Sequence, residues 1–260
     1  MPDWSRVVDV SDLLYGAYER KLVAQLPPER LPRHVAVMLD GNRRWAREKG
    51  AAMADGHRAG ADNIIPFLEW SEEVGIEIVT LWMLSTDNLK RAPEELAPLL
   101  QIIADVVREV AEMRRWRVNP VGALDLLPES TRAELRAAAE ATADVEGMVV
   151  NVAVSYGGRQ EIADAVRALL QEAAAQGRTL QDVIDTIDTE TIADHLYTRG
   201  QPDPDLVIRT SGEQRIGGFL LWQSTHSEFY FCEAYWPDFR RVDFLRALRA
   251  FADRERRFGS

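Results

Sequence analysis

Asp40-Gly-Asn-Arg-Arg-Trp45 places a carboxylate, a flexible turn, two guanidiniums and an indole within six positions. Asp40 can bind Mg²⁺ through oxygen, while amides at a following helix start and the forks of Arg43 or Arg44 bind phosphate oxygens. An aspartate helix cap followed by solvated arginines accounts for the same letters. Arg209-Thr-Ser-Gly-Glu-Gln-Arg215 repeats the chemistry, because two arginines enclose a small turn suited to a second diphosphate. Its plain alternative is an ion pair between Glu213 and an arginine. Two such turns in one chain favour separate phosphate groups.

Other residues are open to a similar pair of readings. Glu228 opens an apolar strand, where a free carboxylate costs desolvation, so it either joins Asp40 at a metal or pairs with an arginine. His57 follows Gly56 and can hydrogen-bond a diphosphate, whereas His34 at a strand entrance reads as polar support. Ser85, Asn88 and Arg91 can align a substrate, or Ser85 to Asn88 can simply start a helix. Met53, Leu68, Trp82, Met83 and Leu84 can line an apolar channel or fill a core. Gly157-Gly158 matches neither the dinucleotide fingerprint nor Walker A.

These residues need elements to position them. His34 to Asp40, Ile76 to Leu84, Val118 to Gly122, Met148 to Ser155, Asp205 to Thr210 and Glu228 to Cys232 read as strands. Helical patterns alternate with them: Asn42 through Trp70, Pro93 to Trp116, Glu129 to Ala143, a segment after Gly158, a short pair over Leu180 to Tyr197, and Val242 to Phe258. Asp12 to Leu26 forms an earlier helix that stops at Pro27-Pro28. The expected fold is α/β, a central and mainly parallel six-stranded sheet surrounded by helices. Residues 1–33 form an N-terminal helical cap, and residues 34–260 the main body of one structural domain. In such a sheet ligands bind beyond the carboxyl ends of the strands. Asp40, Ser85 to Asn88, Tyr156 to Gly158 and Arg209 to Gly212 all fall there.

With 260 residues, 46 % of them hydrophobic and 28 % charged, the chain is globular rather than disordered. Thirty-one Lys and Arg against 42 Asp and Glu leave a formal charge of −11, which opposes attraction to nucleic acid or to an anionic membrane. Cys232 alone excludes an intrachain disulfide and a cysteine-cluster zinc site. Without a basic leader or a long apolar run, a cytoplasmic location is expected.

In order and spacing, His34 to Trp45, Gly56-His57, Leu84 to Arg91, Asn151 to Gly158, Asp205 to Arg215 and Phe219 to Glu228 together resemble the cis-prenyltransferase family, the isoprenyl or undecaprenyl diphosphate synthases. The likeness runs from His34 to Gly259. It implies the mixed α/β fold of that family rather than the all-helical trans-prenyltransferase fold, a homodimer, Mg²⁺, and alkyl transfer between an allylic diphosphate and isopentenyl diphosphate. By the same resemblance Asp40 and Asn88 are catalytic, with Asp40 and Glu228 at the metal. Gly41, Asn42, Arg43, Arg44 and His57 hold the allylic diphosphate; Trp45, Ser85 and Arg91 position substrate, with Glu95 in a supporting network. Arg209, Arg215 and Gly217 hold isopentenyl diphosphate, and Arg257 and Gly259 reach a neighbouring subunit.

Met53 and Gly217 depart from the common family pattern, which has an arginine and a serine there. Leu84 and Leu89 resemble short-chain mycobacterial Z-farnesyl diphosphate synthases, with Leu84 expected to limit chain length. That implies geranyl diphosphate extended once to C15 cis-farnesyl diphosphate. The alternatives are a C50 or C55 polyprenyl diphosphate, whose length would bring peripheral membrane contact, an irregular head-to-middle coupling, or a non-catalytic diphosphate-binding partner subunit.

Overall fold

The computed structural model describes residues 19–254; Arg257, Gly259 and residues 1–18 of the expected cap lie outside the described residues. β1 (His34–Met38) leads into three helices, α1 (Asn42–Glu48), α2 (Met53–Asp62) and α3 (Ile64–Glu73), before β2 (Ile78–Trp82). α4 (Pro93–Glu112), β3 (Arg117–Val121), α5 (Glu129–Ala141) and β4 (Val149–Ala153) follow. Then come α6 (Gly158–Ala175), α7 (Leu180–Thr186), α8 (Thr189–Ala193), β5 (Leu206–Arg209), β6 (Glu228–Phe231) and α9 (Arg241–Ala252).

All six strands are parallel, in the order β3-β4-β2-β1-β5-β6. The chain builds to one side of β1 through β4 and then crosses to place β5 on its other side. The strand order therefore reverses at the β1–β5 seam. Every residue of β1 and β5 is buried, as a parallel sheet covered on both faces requires. Pro120 is tolerated because β3 is an edge and pairs only with β4.

The single helix expected from Asn42 through Trp70 is three. Pro66 lies in the first turn of α3 and lacks the N–H that would continue α2 across Asn63. The break has a use, since Asn63 Nδ2 donates to the carbonyls of Trp236 and Phe239 at 2.8 and 2.9 Å. It fastens the turn before α9 to the core.

Alternation along β1 divides two apolar layers. Val35 and Val37 join the larger cluster with Phe67, Leu81, Leu84 and Phe244, while Ala36 and Met38 face Tyr156, Val207 and Phe219. Leu22 and Leu26, from the described part of the expected cap, belong to the larger cluster. On the second face a polar stripe runs from His34, at the amino end of β1, across the middle of the sheet. His34 Nε2 lies 2.8 Å from Thr80 Oγ1, which also accepts Asn151 Nδ2 at 2.9 Å, and Asn119 Nδ2 donates to Asn151 Oδ1 at 2.7 Å. His34 is thus a polar support. No helix among the described residues is long and apolar enough to cross a membrane.

Phe67 is fully buried, with Phe244, Trp236 and Phe239 rings centred 5.0, 5.6 and 6.3 Å away. Phe67→Ala should lower unfolding free energy by about 3–5 kcal/mol through lost burial and the cavity left behind. Urea titration followed by circular dichroism measures it.

Candidate active site

At the seam the segments leaving β1 and β5 are bound to each other. Thr210 Oγ1 accepts the Asp40 amide at 3.0 Å and donates to the Asp40 carbonyl at 2.7 Å, and the Trp236 amide donates to that carbonyl at 3.0 Å. With its backbone fixed, Asp40 turns one carboxylate oxygen to Arg209 Nη2 at 2.9 Å, and Arg44 Nη2 stands 3.9 Å from the same oxygen. The Arg209 side chain is 8 % exposed and donates from Nη1 to the Arg215 carbonyl, while its buried Nε has no partner. A buried donor without an acceptor is costly.

Gly41, rather than Asp40, caps α1. Its φ is +106°, and a Cβ there would stand 2.6 Å from Tyr235 Cδ1, so glycine alone lets the chain turn this tightly. The first helical bond runs from the Trp45 amide to the Gly41 carbonyl, which leaves the amides of Asn42, Arg43 and Arg44 without helix partners.

A cavity of about 580 Å³ opens in front of this turn. One side is cationic: Arg43, Arg44, Arg47, Arg91, Arg209 and Arg215 line it with His57, and Asp40 is the carboxylate among the lining residues. The other side is apolar, built by Ala61, Ile64, Met83, Leu84, Leu99, Ile102 and Ile103. Glu95 stands outside and serves two cations, accepting Arg91 Nη1 at 2.9 Å and lying 3.5 Å from Arg43 Nε. Glu213 does the same for Arg215 at 3.0 Å and Arg44 at 3.5 Å. The ion-pair alternative for that loop therefore holds for Arg215, while Arg209 turns to Asp40. Arg44 Nη2 also donates to Ser211 Oγ at 2.6 Å.

Of the residues singled out in the sequence, Asp40 to Arg44, His57, Leu84, Ser85, Asn88, Arg91, Arg209 and Arg215 come together around this cavity. Ser85 does double duty, its Oγ accepting the Asn88 amide at 3.2 Å as a helix cap. Trp45 and Gly217 are not among the lining residues: Trp45 sits beneath Lys49, and Gly217 lies against Trp82. Gly217 adopts a left-handed φ of +58°. Tyr156 to Gly158 sit behind the cavity, with Tyr156 bridged to Ser85. Trp82 and Met83 reach the lining, Leu68 is core, and Met53 is 49 % exposed away from it.

Within one chain Glu228 and Asp40 do not meet. Register sets Glu228 level with Leu206 and hence with Val35, at the amino end of the sheet, whereas Asp40 follows the carboxyl end of β1. Glu228 instead pairs with Arg254, the arginine alternative. Among the described residues no group of three His, Cys, Asp or Glu side chains gathers as a metal cage.

Arg47, Ile64, Leu99, Ile102 and Ile103 carry no motif. The apolar ones recur at the spacing of an ordinary buried helix face, so sequence alone reads them as core.

Burial lowers the His57 pKa from 6.5 to about 4; Arg91 and Arg43 add to the shift and Glu95 opposes it. The ring is neutral at pH 7, with a buried Nε2 that has no protein partner. Burial likewise holds Arg91 below its ordinary value, against the pull of Glu95.

A model of the undecaprenyl diphosphate synthase family matches residues 38–259. A (2Z,6E)-farnesyl diphosphate synthase from Thermobifida fusca (strain YX) is 61 % identical over 247 residues, covering 95 % of this chain and 97 % of that one. A short-chain Z-isoprenyl diphosphate synthase from Mycobacterium bovis is 54 % identical over 250 residues, covering 95 % of each chain. Among solved structures, lavandulyl diphosphate synthase from Lavandula x intermedia in complex with dimethylallyl diphosphate superposes with a TM-score of 0.82 at 34 % identity, covering 89 % of this chain and all of that one.

The neutral histidines set a pH dependence. His34 is also held near 4, chiefly by burial, so between about 4 and 6.5 the unfolded chain binds protons at both rings that the folded chain refuses. Stability should fall as pH drops through that window. Urea unfolding at stepped pH should show the slope, and His57→Gln should remove its own share of it.

Proposed function

The chain belongs to the undecaprenyl diphosphate synthase family, and on that premise we propose that it is a cis-prenyltransferase condensing isopentenyl diphosphate with an allylic diphosphate. The observation that carries the reading is the cavity itself, with cationic turns on one side and an apolar wall on the other. Two diphosphates and a hydrocarbon chain need that combination. The Thermobifida relative's name supports a C15 farnesyl product, ahead of a C50 or C55 product, and we take geranyl diphosphate as the acceptor that one extension requires.

Arg43, Arg44, Arg91 and the α1 amides receive the allylic diphosphate, and neutral His57 donates from Nε2 in the tautomer that carries its proton there. Arg209 and Arg215 receive the diphosphate of isopentenyl diphosphate. Asp40 fits Mg²⁺ as a single hard oxygen ligand in an open, phosphate-binding cavity, since this ion takes most of its ligands from water and substrate phosphates. When bound, the ion offsets charge on the departing diphosphate.

The arginines stabilise negative charge as the allylic C1 to oxygen bond weakens. The double bond of isopentenyl diphosphate attacks C1, and the allylic diphosphate group leaves with the C1 to oxygen electron pair. A proton lost from C2 of isopentenyl diphosphate passes to that departing diphosphate, which leaves a new cis allylic diphosphate. The chain contributes by holding two substrates in line, with no covalent enzyme intermediate. Ile64, Leu84 and Leu99 pack along the growing hydrocarbon, and Leu84 limits its length. In cells the reading places the protein in the cytoplasm as a homodimer.

Assay of labelled isopentenyl diphosphate with C10, C15 and C20 acceptors tests the function, and no incorporation with any acceptor would refute it. Asp40→Ala should reduce turnover by about 10²-fold or more, the scale expected when a preorganised electrostatic group is lost. Arg209→Ala should chiefly raise the KM for isopentenyl diphosphate. In the folded fraction Leu84→Ala should lengthen the product by at least one five-carbon unit, read by chromatographic sizing; an unchanged distribution would remove Leu84 as the limit.

A further inference from the structure

Glu161, in the first turn of α6, is a fully buried carboxylate that does not line the cavity. Three neutral donors converge on it. Tyr156 donates its hydroxyl, the Tyr197 amide lies 3.0 Å away, and Gln223 Nε2 donates at 3.0 Å. Gln223 Nε2 also donates to Thr198 Oγ1 at 2.9 Å. One side chain therefore ties together the turn after β4, the segment before β5 and the end of the stretch from 215 to 223. An acceptor-only group with two oxygens suits three converging donors, whereas a carboxamide would present an N–H to at least one of them. Burial pushes the Glu161 pKa up and the donors pull it back. A buried charge without a cation is costly, and its retention calls for a reason.

That reason lies along the stretch it holds. The Tyr156 ring meets Phe219 edge-on at 5.9 Å, and Phe219 stacks on Trp82 with centroids 5.0 Å apart and planes 4° from parallel. Trp82 lines the cavity, and its Nε1 donates to the Tyr156 carbonyl at 3.3 Å. The Gly158 amide donates to the Gly218 carbonyl at 2.8 Å, and a Cβ on Gly217 would lie 3.3 Å from the Trp82 ring. At its other end the stretch is tied by the Arg215 carbonyl to Arg209 Nη1. Arg215 itself is 71 % exposed and paired only with Glu213 among the ion pairs of the described residues, so its place over the cavity depends on the backbone beneath it.

We propose that Glu161 is a positioning residue for the Arg209–Arg215 half of the site: it pins Tyr156 and Gln223, which hold Trp82, Phe219 and the 215–218 turn in place for the isopentenyl diphosphate group. This rests on the donor-site reading given above. Arg43, His57 and Arg91 stand on α1, α2 and the turn after β2, outside the stretch that Gln223 anchors. The effect should therefore fall on one substrate.

The test uses the full chain as wild type, Glu161→Gln, Tyr156→Phe and Val183→Ala. Val183 is buried in a small cluster with Leu169 and Ala173 and serves as a destabilising control remote from the cavity. Steady-state kinetics should show the KM for isopentenyl diphosphate raised about tenfold in Glu161→Gln, the scale of one lost charge-assisted hydrogen bond, with the KM for geranyl diphosphate nearly unchanged. Tyr156→Phe, which removes a single hydroxyl and decides the matter if Glu161→Gln fails to fold, should raise the same KM about threefold. Val183→Ala should lower the melting temperature without separating the two constants. Equal changes in both constants, or an unchanged donor KM in folded Glu161→Gln or in Tyr156→Phe, would overturn the assignment. A wild type that incorporates no isopentenyl diphosphate would instead overturn the functional reading on which it rests.

Discussion

The ion pair between Asp40 and Arg209, 2.9 Å long and set across the β1–β5 seam, is the contact on which the site depends. A parallel sheet delivers its carboxyl ends to one rim, and the reversal of strand order opens a gap there. Two oppositely charged groups follow the adjacent strands at that gap. Arg209 is almost buried, so without Asp40 its charge would be strongly destabilising; without the Thr210 hydroxyl the Asp40 backbone would lose two hydrogen bonds that aim it. Gly41 can then turn sharply under Tyr235 and start α1, which delivers Arg43 and Arg44.

Shared acids maintain the cationic side of the cavity in a chain of net charge −11. Glu95 stands between Arg43 and Arg91, and Glu213 between Arg44 and Arg215. One carboxylate holding two guanidiniums fixes both without neutralising either fully. The uncompensated field acts on His57, whose proton is driven off by burial and by the two nearest arginines. The cavity thereby gains a neutral donor among cations, able to bind phosphate without adding to their mutual repulsion. An acidic exterior does not oppose this, because field lines concentrate in a cleft with low-dielectric walls.

The six strands were legible because each is a run of apolar residues with a turn at its end, and the strand-end rule gathered Asp40, Ser85, Asn88 and Arg209 to one rim. Glu228 opens a parallel strand, so within one chain it lies at the opposite end of the sheet from Asp40. The break between α2 and α3 is written in Pro66. Ile64, Leu99, Ile102 and Ile103 were not legible as cavity wall, since helical periodicity is the same whether a face meets a neighbour or a void. The place of Gly217 against Trp82 is hidden for a different reason, because that approach is a long-range contact.

Rigidity and strain lie at different levels of the sheet. Across its middle, Thr80 and Asn151 join His34 from the amino end of β1 in an unstrained buried stripe. Past the carboxyl ends, Ser211 holds a left-handed φ of +78° that a side chain rarely adopts. It persists because its surroundings leave no alternative. Its amide donates to the Ala234 carbonyl at 2.7 Å, its hydroxyl accepts Arg44 Nη2 at 2.6 Å, and the next amide donates to the Cys232 carbonyl at 2.9 Å. That geometry folds the chain back so that Arg215 returns over the same cavity that Arg209 enters from β5. Two arginines of one short loop thus face one space from different directions, an arrangement that a relaxed extension of the strand would not produce.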